Sequence, residues 1–170
     1  MFILITTIDD TQTKVKRNIK ILLKGVDYLS ELLVGTAAEH LVCAELLLKG
    51  YKTFMTDQHC PYDVITEIKQ GKLIRIQVKA TQSPRNIPQR VNQIPAYMWH
   101  VRRAGKRGER VYADGEFDVL ALVALDIGRI AYMPQENYQQ TIHIRPPGTV
   151  GGKQFDDYTF DKIEEEYLHE

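Results

Sequence analysis

Apolar residues recur at two kinds of spacing along this chain. Between residues 11 and 33 they return every three or four positions (Ile19, Leu22, Leu23, Val26, Leu29, Leu32, Leu33), the period of a helix, with a break near Gly25. Residues 35–49 predict a second helix, closed by Gly50 after Lys49 in its last turn. That helix is apolar almost all round, from Ala37 and Ala38 to Leu46, Leu47 and Leu48, which predicts burial on several sides. A strand is expected over residues 51–56, a loop over 57–61, and two short strands on either side of Lys69-Gln70-Gly71-Lys72. The run 117–125 predicts a central strand, with a partner over 129–133 after the turn Asp126-Ile127-Gly128. Residues 81–110, with Pro84, Pro88 and Pro95, read as a long loop, and the polar residues beyond Pro134 read as loop as well. Residues 156–170 predict an acidic helix with Tyr158, Phe160, Ile163 and Tyr167 as its apolar side, able to dock on a partner subunit or cover basic surface.

The hairpin around Gly71 sets a question of register. Ile74, Ile76, Val78 and Ala80 alternate with Arg75, Gln77 and Lys79. A two-residue loop would pair Asp63 with Val78 and mix apolar with polar faces, which a half-buried hairpin resists. A three-residue loop, Lys69-Gln70-Gly71 with Gly71 left-handed, pairs Asp63 with Gln77 and Val64 with Ile76. That register puts a carboxylate, an amide and an ammonium on one face. Glu39 is a second carboxylate of interest, lying among Val42, Cys43 and Leu46 on the apolar helix. A cation or metal would accommodate it there; so would the favourable dipole of the helix's first turns.

Composition changes the picture only through its distribution. The 170 residues suit one domain, and the formal net charge is zero. Yet residues 67–111 hold eleven Lys/Arg against two acids, a net of +9, whereas 112–170 hold four against twelve, a net of −8. A basic middle of this kind suits a polyanion. Two cysteines, Cys43 and Cys60, form neither a disulfide framework nor a zinc set, and no segment has the length of a membrane span. A soluble, cytoplasmic protein is the expectation.

Asp63, an amide or main-chain oxygen beside it, and Lys79 make a set that can hold Mg²⁺ and handle a water. These residues resemble the PD-(D/E)XK nuclease superfamily: Glu39 on the first helix, Pro61-Tyr62-Asp63, and Gln77-Val78-Lys79. Within it the chain is similar to the bacterial group I intron-associated homing endonucleases, in the G-x-x-A-E run ending at Glu39, Gly50-Tyr51 before a strand, Tyr62-Asp63-Val64, and Q-V-K in place of E-x-K. Archaeal Holliday junction resolvases are similar in topology. Two departures stand out: Tyr62 separates Pro61 from the acid, and Gln77 replaces the second acid.

The resemblance implies an α/β, restriction-endonuclease-like core, a mixed sheet of four or more strands flanked by helices. It implies an accessory helical segment over 1–33, a nuclease core over 34–140 with a basic DNA-contact loop at about 81–110, and a tail with an acidic helix over 141–170. It further implies Mg²⁺-dependent, site-specific double-strand cleavage of DNA, with Mn²⁺ able to substitute. The metal ligands would be Asp63, Gln77, the main-chain oxygen of Val78 and Glu39, with Lys79 serving the water. Cutting both strands implies a homo-dimer or homo-tetramer. Arg75, Arg102, Arg103, Lys106, Arg107 and Arg110 are phosphate candidates, with an Arg75–Glu67 ion pair as the rival use of Arg75. Arg85, Asn86, Gln89, Arg90, Asn92 and Gln93 suit base edges. A junction-selective nuclease or a catalytically silent DNA-binding module are the rival functions.

Overall fold

The computed structural model describes residues 30–57, 59–86, 94–102, 111–137 and 139–168. The first described element is helix α1 (Glu31–Leu48), which begins where the Ser30 hydroxyl accepts from the Leu33 N–H at 3.3 Å. It ends in a Schellman turn: Gly50, at φ 92°, donates to the Leu47 carbonyl at 3.0 Å, and Tyr51 donates to Leu46 at 3.1 Å. The chain then forms β1 (Lys52–Met55), β2 (Val64–Glu67) and β3 (Leu73–Thr81), followed by β4 (Tyr97–His100), β5 (Val119–Ala124), β6 (Arg129–Pro134) and β7 (Thr141–Ile144). A short 3₁₀ turn (Phe155–Asp157) leads to α2 (Phe160–Leu168).

The main sheet has five strands in the order β1-β2-β3-β5-β6. Only the β3–β5 pair is parallel; β1–β2, β2–β3 and β5–β6 are antiparallel. This is a mixed sheet flanked by helices, a restriction-endonuclease-like α/β fold. Its interior strand β5 is buried along its whole length, as its unbroken apolar run predicts. One face carries α1 and α2: Val34, Ala38, Val42 and Leu46 of α1 and Phe160 and Ile163 of α2 pack with Ile74, Ile76, Val78, Val119 and Ala121. The other face carries Leu120, Leu122 and Ala124, covered by a two-stranded ribbon of β4 and β7 through Tyr97, Trp99, Ile142 and Ile144.

Several expectations need correction. The 81–110 stretch is not all loop, because Tyr97–His100 is strand β4, and the polar stretch beyond Pro134 contains β7, its partner. Tyr97 and Trp99 are buried; the Trp99 indole donates to the Val123 carbonyl at 3.2 Å, and the Tyr97 hydroxyl donates to Asp126 at 3.0 Å. They close the second core. Helix α1 buries one stripe only, since the sheet meets a single face of it: Leu32, Leu33, Leu47 and Leu48 are exposed, Leu48 to 89%. The acidic helix docks on its own chain. Phe160 stands edge-on to Tyr51 and Tyr132 at ring separations of 5.0 and 5.1 Å, and the Tyr51 hydroxyl donates to Glu164 at 3.0 Å. Lys49 pairs with Asp161 at 3.0 Å and Lys69 with Glu164 at 3.3 Å, while Arg129 pairs with Asp156.

Candidate active site

The hairpin adopts the register that the apolar pattern selects, with Val64 opposite Ile76. Ile68 donates to the Lys72 carbonyl at 2.9 Å, closing a loop of Lys69, Gln70 and Gly71. Gly71 is left-handed at φ 76°, and Gln70 joins it at φ 67°. Because β2 begins at Val64 while β3 continues to Thr81 beside β5, Asp63 stands at the fork where β3 leaves β2. Its main chain is pinned on both sides: its N–H donates to the Ile76 carbonyl at 2.9 Å, and its carbonyl accepts from Thr56 at 3.0 Å.

The side chains converge as the register requires. Asp63 Oδ2 accepts from the Val78 N–H at 2.7 Å and from Gln77 Nε2. The same Gln77 nitrogen lies 3.2 Å from the Val78 carbonyl, and Gln77 is almost fully buried. Lys79 shares this face, its Nζ 5.3 Å from the centre of the Tyr112 ring, which in turn stands edge-on to Phe117 at 5.1 Å. Tyr112 is the site neighbour that sequence reasoning missed. It lies more than thirty residues downstream, and only the β3–β5 pairing that brings the two segments together could reveal it.

Electrostatics tie Glu39 to the same group. Burial raises the Glu39 carboxyl above its usual range, and the negative charge of Asp63 raises it further, against His40 and Lys79. Burial likewise raises Asp63, outweighing the Val78 N–H, Lys79 and Gln77. For Lys79 burial acts in the opposite direction and lowers the ammonium, against the charges of Asp63 and Glu39. Two carboxylates and a lysine thus share one partly dehydrated field.

A comparison with known protein families matches residues 30–157 to the PD-(D/E)XK endonucleases. The chain belongs to that family. It is accordingly an endonuclease. The fold agrees: a solved structure of a bacterial homing endonuclease, I-Ssp6803I, superimposes with a TM-score of 0.63 at 17% identity, covering 84% of this chain and 98% of that one. A comparison with curated protein sequences finds no significant match.

In this PD-(D/E)XK endonuclease the donor set suits a hard divalent cation. Among the described residues no three His, Cys, Asp or Glu side chains gather as a metal cluster. The available donors are oxygens: the Asp63 carboxylate, the Gln77 amide oxygen, the Val78 carbonyl and the Glu39 carboxylate, the chemistry that Mg²⁺ or Mn²⁺ prefers. Burial disfavours the charged forms of both carboxylates, and the charge of Asp63 further disfavours that of Glu39; a cation beside them would relieve that cost. The amide–carboxylate contact of Gln77 and Asp63 would open as the amide turns its oxygen inward.

The arginine and lysine candidates divide. Arg75 is engaged within the fold: its guanidinium donates to Asp118 at 2.6 and 3.0 Å and to the Gly115 carbonyl at 2.8 Å, while its main-chain N–H donates to Asp118 at 2.7 Å. Glu67, the partner considered for it, pairs with Lys52 at 3.2 Å. Arg85 lies in an isolated bridge to Ala96 and is exposed, as are Asn86 and Arg102. Gln89, Arg90, Asn92, Gln93, Arg103, Lys106, Arg107 and Arg110 lie outside the described residues, as does the segment 1–29. No helix among the described residues is long and apolar enough to cross a membrane.

Proposed function

We propose that this endonuclease is a Mg²⁺-dependent, site-specific DNA endonuclease of the homing type, acting as a homo-dimer or homo-tetramer on double-stranded DNA. The reading is carried by one observation: Asp63, Gln77 and Lys79 converge at the β2–β3 fork within the field of Glu39. Asp63, Gln77, the Val78 carbonyl and Glu39 would hold the cation, which would supply charge stabilisation at the phosphodiester and a more acidic water. Lys79, its proton loosened by burial, orients that water and accepts or shares its proton. The Tyr112 ring, 5.3 Å from the Lys79 amine, helps to hold it in place. Exposed Arg85 and Arg102, together with Arg90, Arg103, Lys106, Arg107 and Arg110, supply phosphate and base contacts.

The homing assignment draws on the Q-V-K form of the motif and on the likeness in fold to I-Ssp6803I. Incubating the protein with a plasmid library and Mg²⁺, then sequencing the ends, tests it. A recurrent sequence at both ends of a double-strand break is the expected result. Cutting confined to branched DNA, without sequence preference, would replace the homing reading with junction resolution. Absence of any Mg²⁺- or Mn²⁺-dependent cutting would overturn both.

A further inference from the structure

The ribbon of β4 and β7 has two faces, and the core takes one. Tyr97, Trp99, Ile142 and Ile144 turn inward. The two-residue period sends Met98, His100, Thr141 and His143 to the outer side, as two directly opposed pairs, Met98 with His143 and His100 with Thr141. His100 is exposed and the other three are half-buried. No acid, lysine or arginine stands at an outward position of either strand. The outer face is two imidazoles, a hydroxyl and a thioether. Thr141 Oγ1 lies 3.3 Å from His100 Nδ1, which orients the His100 ring and leaves Nε2 for a ligand.

Cations frame this patch. Arg85, bridged to Ala96 just before β4, is exposed, and so is Arg102 just beyond it. The sequence then runs on through Arg103, Lys106 and Arg107. Neutral donors and acceptors between arginines match a duplex groove, where charge lies on the phosphates and the base edges between them are neutral. The dimensions agree. Two paired strands lie about 4.8 Å apart, and a major groove about 12 Å wide admits such a ribbon. Met98 and His100 are about 7 Å apart along their strand, or about two base-pair steps.

The ribbon also stands on the catalytic face of the sheet. It covers Leu120 and Leu122, which pair with Gln77 and Lys79 of β3. Tyr112, in the same core, is 5.3 Å from Lys79 Nζ.

We infer that the outer face of the β4–β7 ribbon enters the major groove and reads base edges there. His100, Thr141 and His143 do so by hydrogen bonds, and Met98 by contact with a thymine methyl. The inference rests on the site-specific reading above and names the residues that give it sequence preference.

Cleavage of a library randomised around the wild-type target, with the surviving and cut sequences counted, tests it in His100→Ala, His143→Ala and Thr141→Val. The valine keeps a β-branched residue in the strand and removes only the hydroxyl, so it decides the matter should either alanine variant melt early. In each variant, discrimination at one or two adjacent base pairs should fall at least about fivefold. His100→Ala and Thr141→Val should relax the same position, because the hydroxyl orients the ring. The slope of log affinity against log salt should keep its wild-type value. Discrimination unchanged at every position in all three variants overturns the inference alone. A salt slope that falls by about one with discrimination intact also overturns it, making the ribbon a phosphate contact. A wild type that cuts duplex DNA at no recurrent sequence overturns the site-specific reading and this inference with it.

Discussion

Replacing Asp63 by asparagine isolates the charge on which the metal reading depends. Both the Val78 N–H and Gln77 Nε2 donate to Asp63 Oδ2, and an asparagine oxygen in that place keeps both, so the hydrogen bonds of the fork survive. The charge does not survive. Burial raises the folded Asp63 pKa above its unfolded value, so the associated stability is complete below the unfolded pKa and is lost as pH rises through the folded one. Near neutrality the metal-free wild type therefore holds this carboxylate at a cost, and the variant should match its stability within about 1 kcal/mol, with a flatter dependence on pH in the acid range. A bound cation reverses the balance. Binding to the native state contributes RT ln(1 + [L]/Kd), about 1.4 kcal/mol at ten times Kd and about 2.7 kcal/mol at a hundred times. For a chain of 170 residues each kcal/mol moves the melting midpoint by about 2–4 °C. Wild-type melts should therefore rise by about 3–6 °C and then about 5–11 °C along a Mg²⁺ titration from EDTA. Asp63→Asn melts should stay in place. A wild-type midpoint indifferent to Mg²⁺, or a variant that rises equally, refutes the assignment of Asp63 as a ligand.

Lys79→Ala should lower the single-turnover cutting rate by about 10²–10⁴-fold while DNA affinity in a Ca²⁺ gel shift stays within a few-fold. In the wild type the same rate should climb as pH rises through the burial-lowered Lys79 pKa, and loss of cutting together with loss of binding would deny the lysine its role. Arg102→Ala should reduce the slope of log affinity against log salt by about one, whereas Arg75→Ala should leave it unchanged and lower the melting midpoint, because its guanidinium is held by Asp118. A salt slope that falls for Arg75→Ala would return that residue to the DNA surface. Phe160→Ala removes a fully buried ring wedged against Tyr51 and Tyr132, at a cost of about 3–5 kcal/mol and a drop of about 6–20 °C in the melting midpoint. A drop of less than about 2 °C would mean that α2 does not hold the core closed.

The hairpin was legible because a strand's two-residue period leaves few consistent registers: only an odd loop keeps Ile74, Ile76 and Val78 with Val64 on one side. The β4–β7 ribbon was missed although its pattern is present. Tyr97, Trp99 and Val101 alternate with Met98 and His100, and Ile142 and Ile144 alternate with Thr141 and His143. Each run is four residues long and sits near prolines or polar residues, so each is weak until its distant partner is known. The burial of α1 was overestimated for the opposite reason, since apolar content tells how much surface could be covered and not how many neighbours arrive. Partners far apart along the chain, such as Arg75 with Asp118 or Lys79 with Tyr112, depend on the parallel β3–β5 pairing, which no local pattern specifies.

The ion pairs of the C-terminal helix and of the 3₁₀ turn before it bear on how the molecule meets a polyelectrolyte. Lys49, Lys69 and Arg129 each spend their charge on Asp161, Glu164 or Asp156, so the helical back of the protein is internally neutralised. A zero total charge then conceals an uneven distribution along the chain, and these three paired cations offer an approaching polyanion little net attraction. Replacing Asp156 and Asp161 by asparagine would strip part of that camouflage while leaving Phe160 and Ile163 in the core. The doubly substituted protein should gain adhesion to any anionic polymer, heparin included, read as later elution from a heparin column.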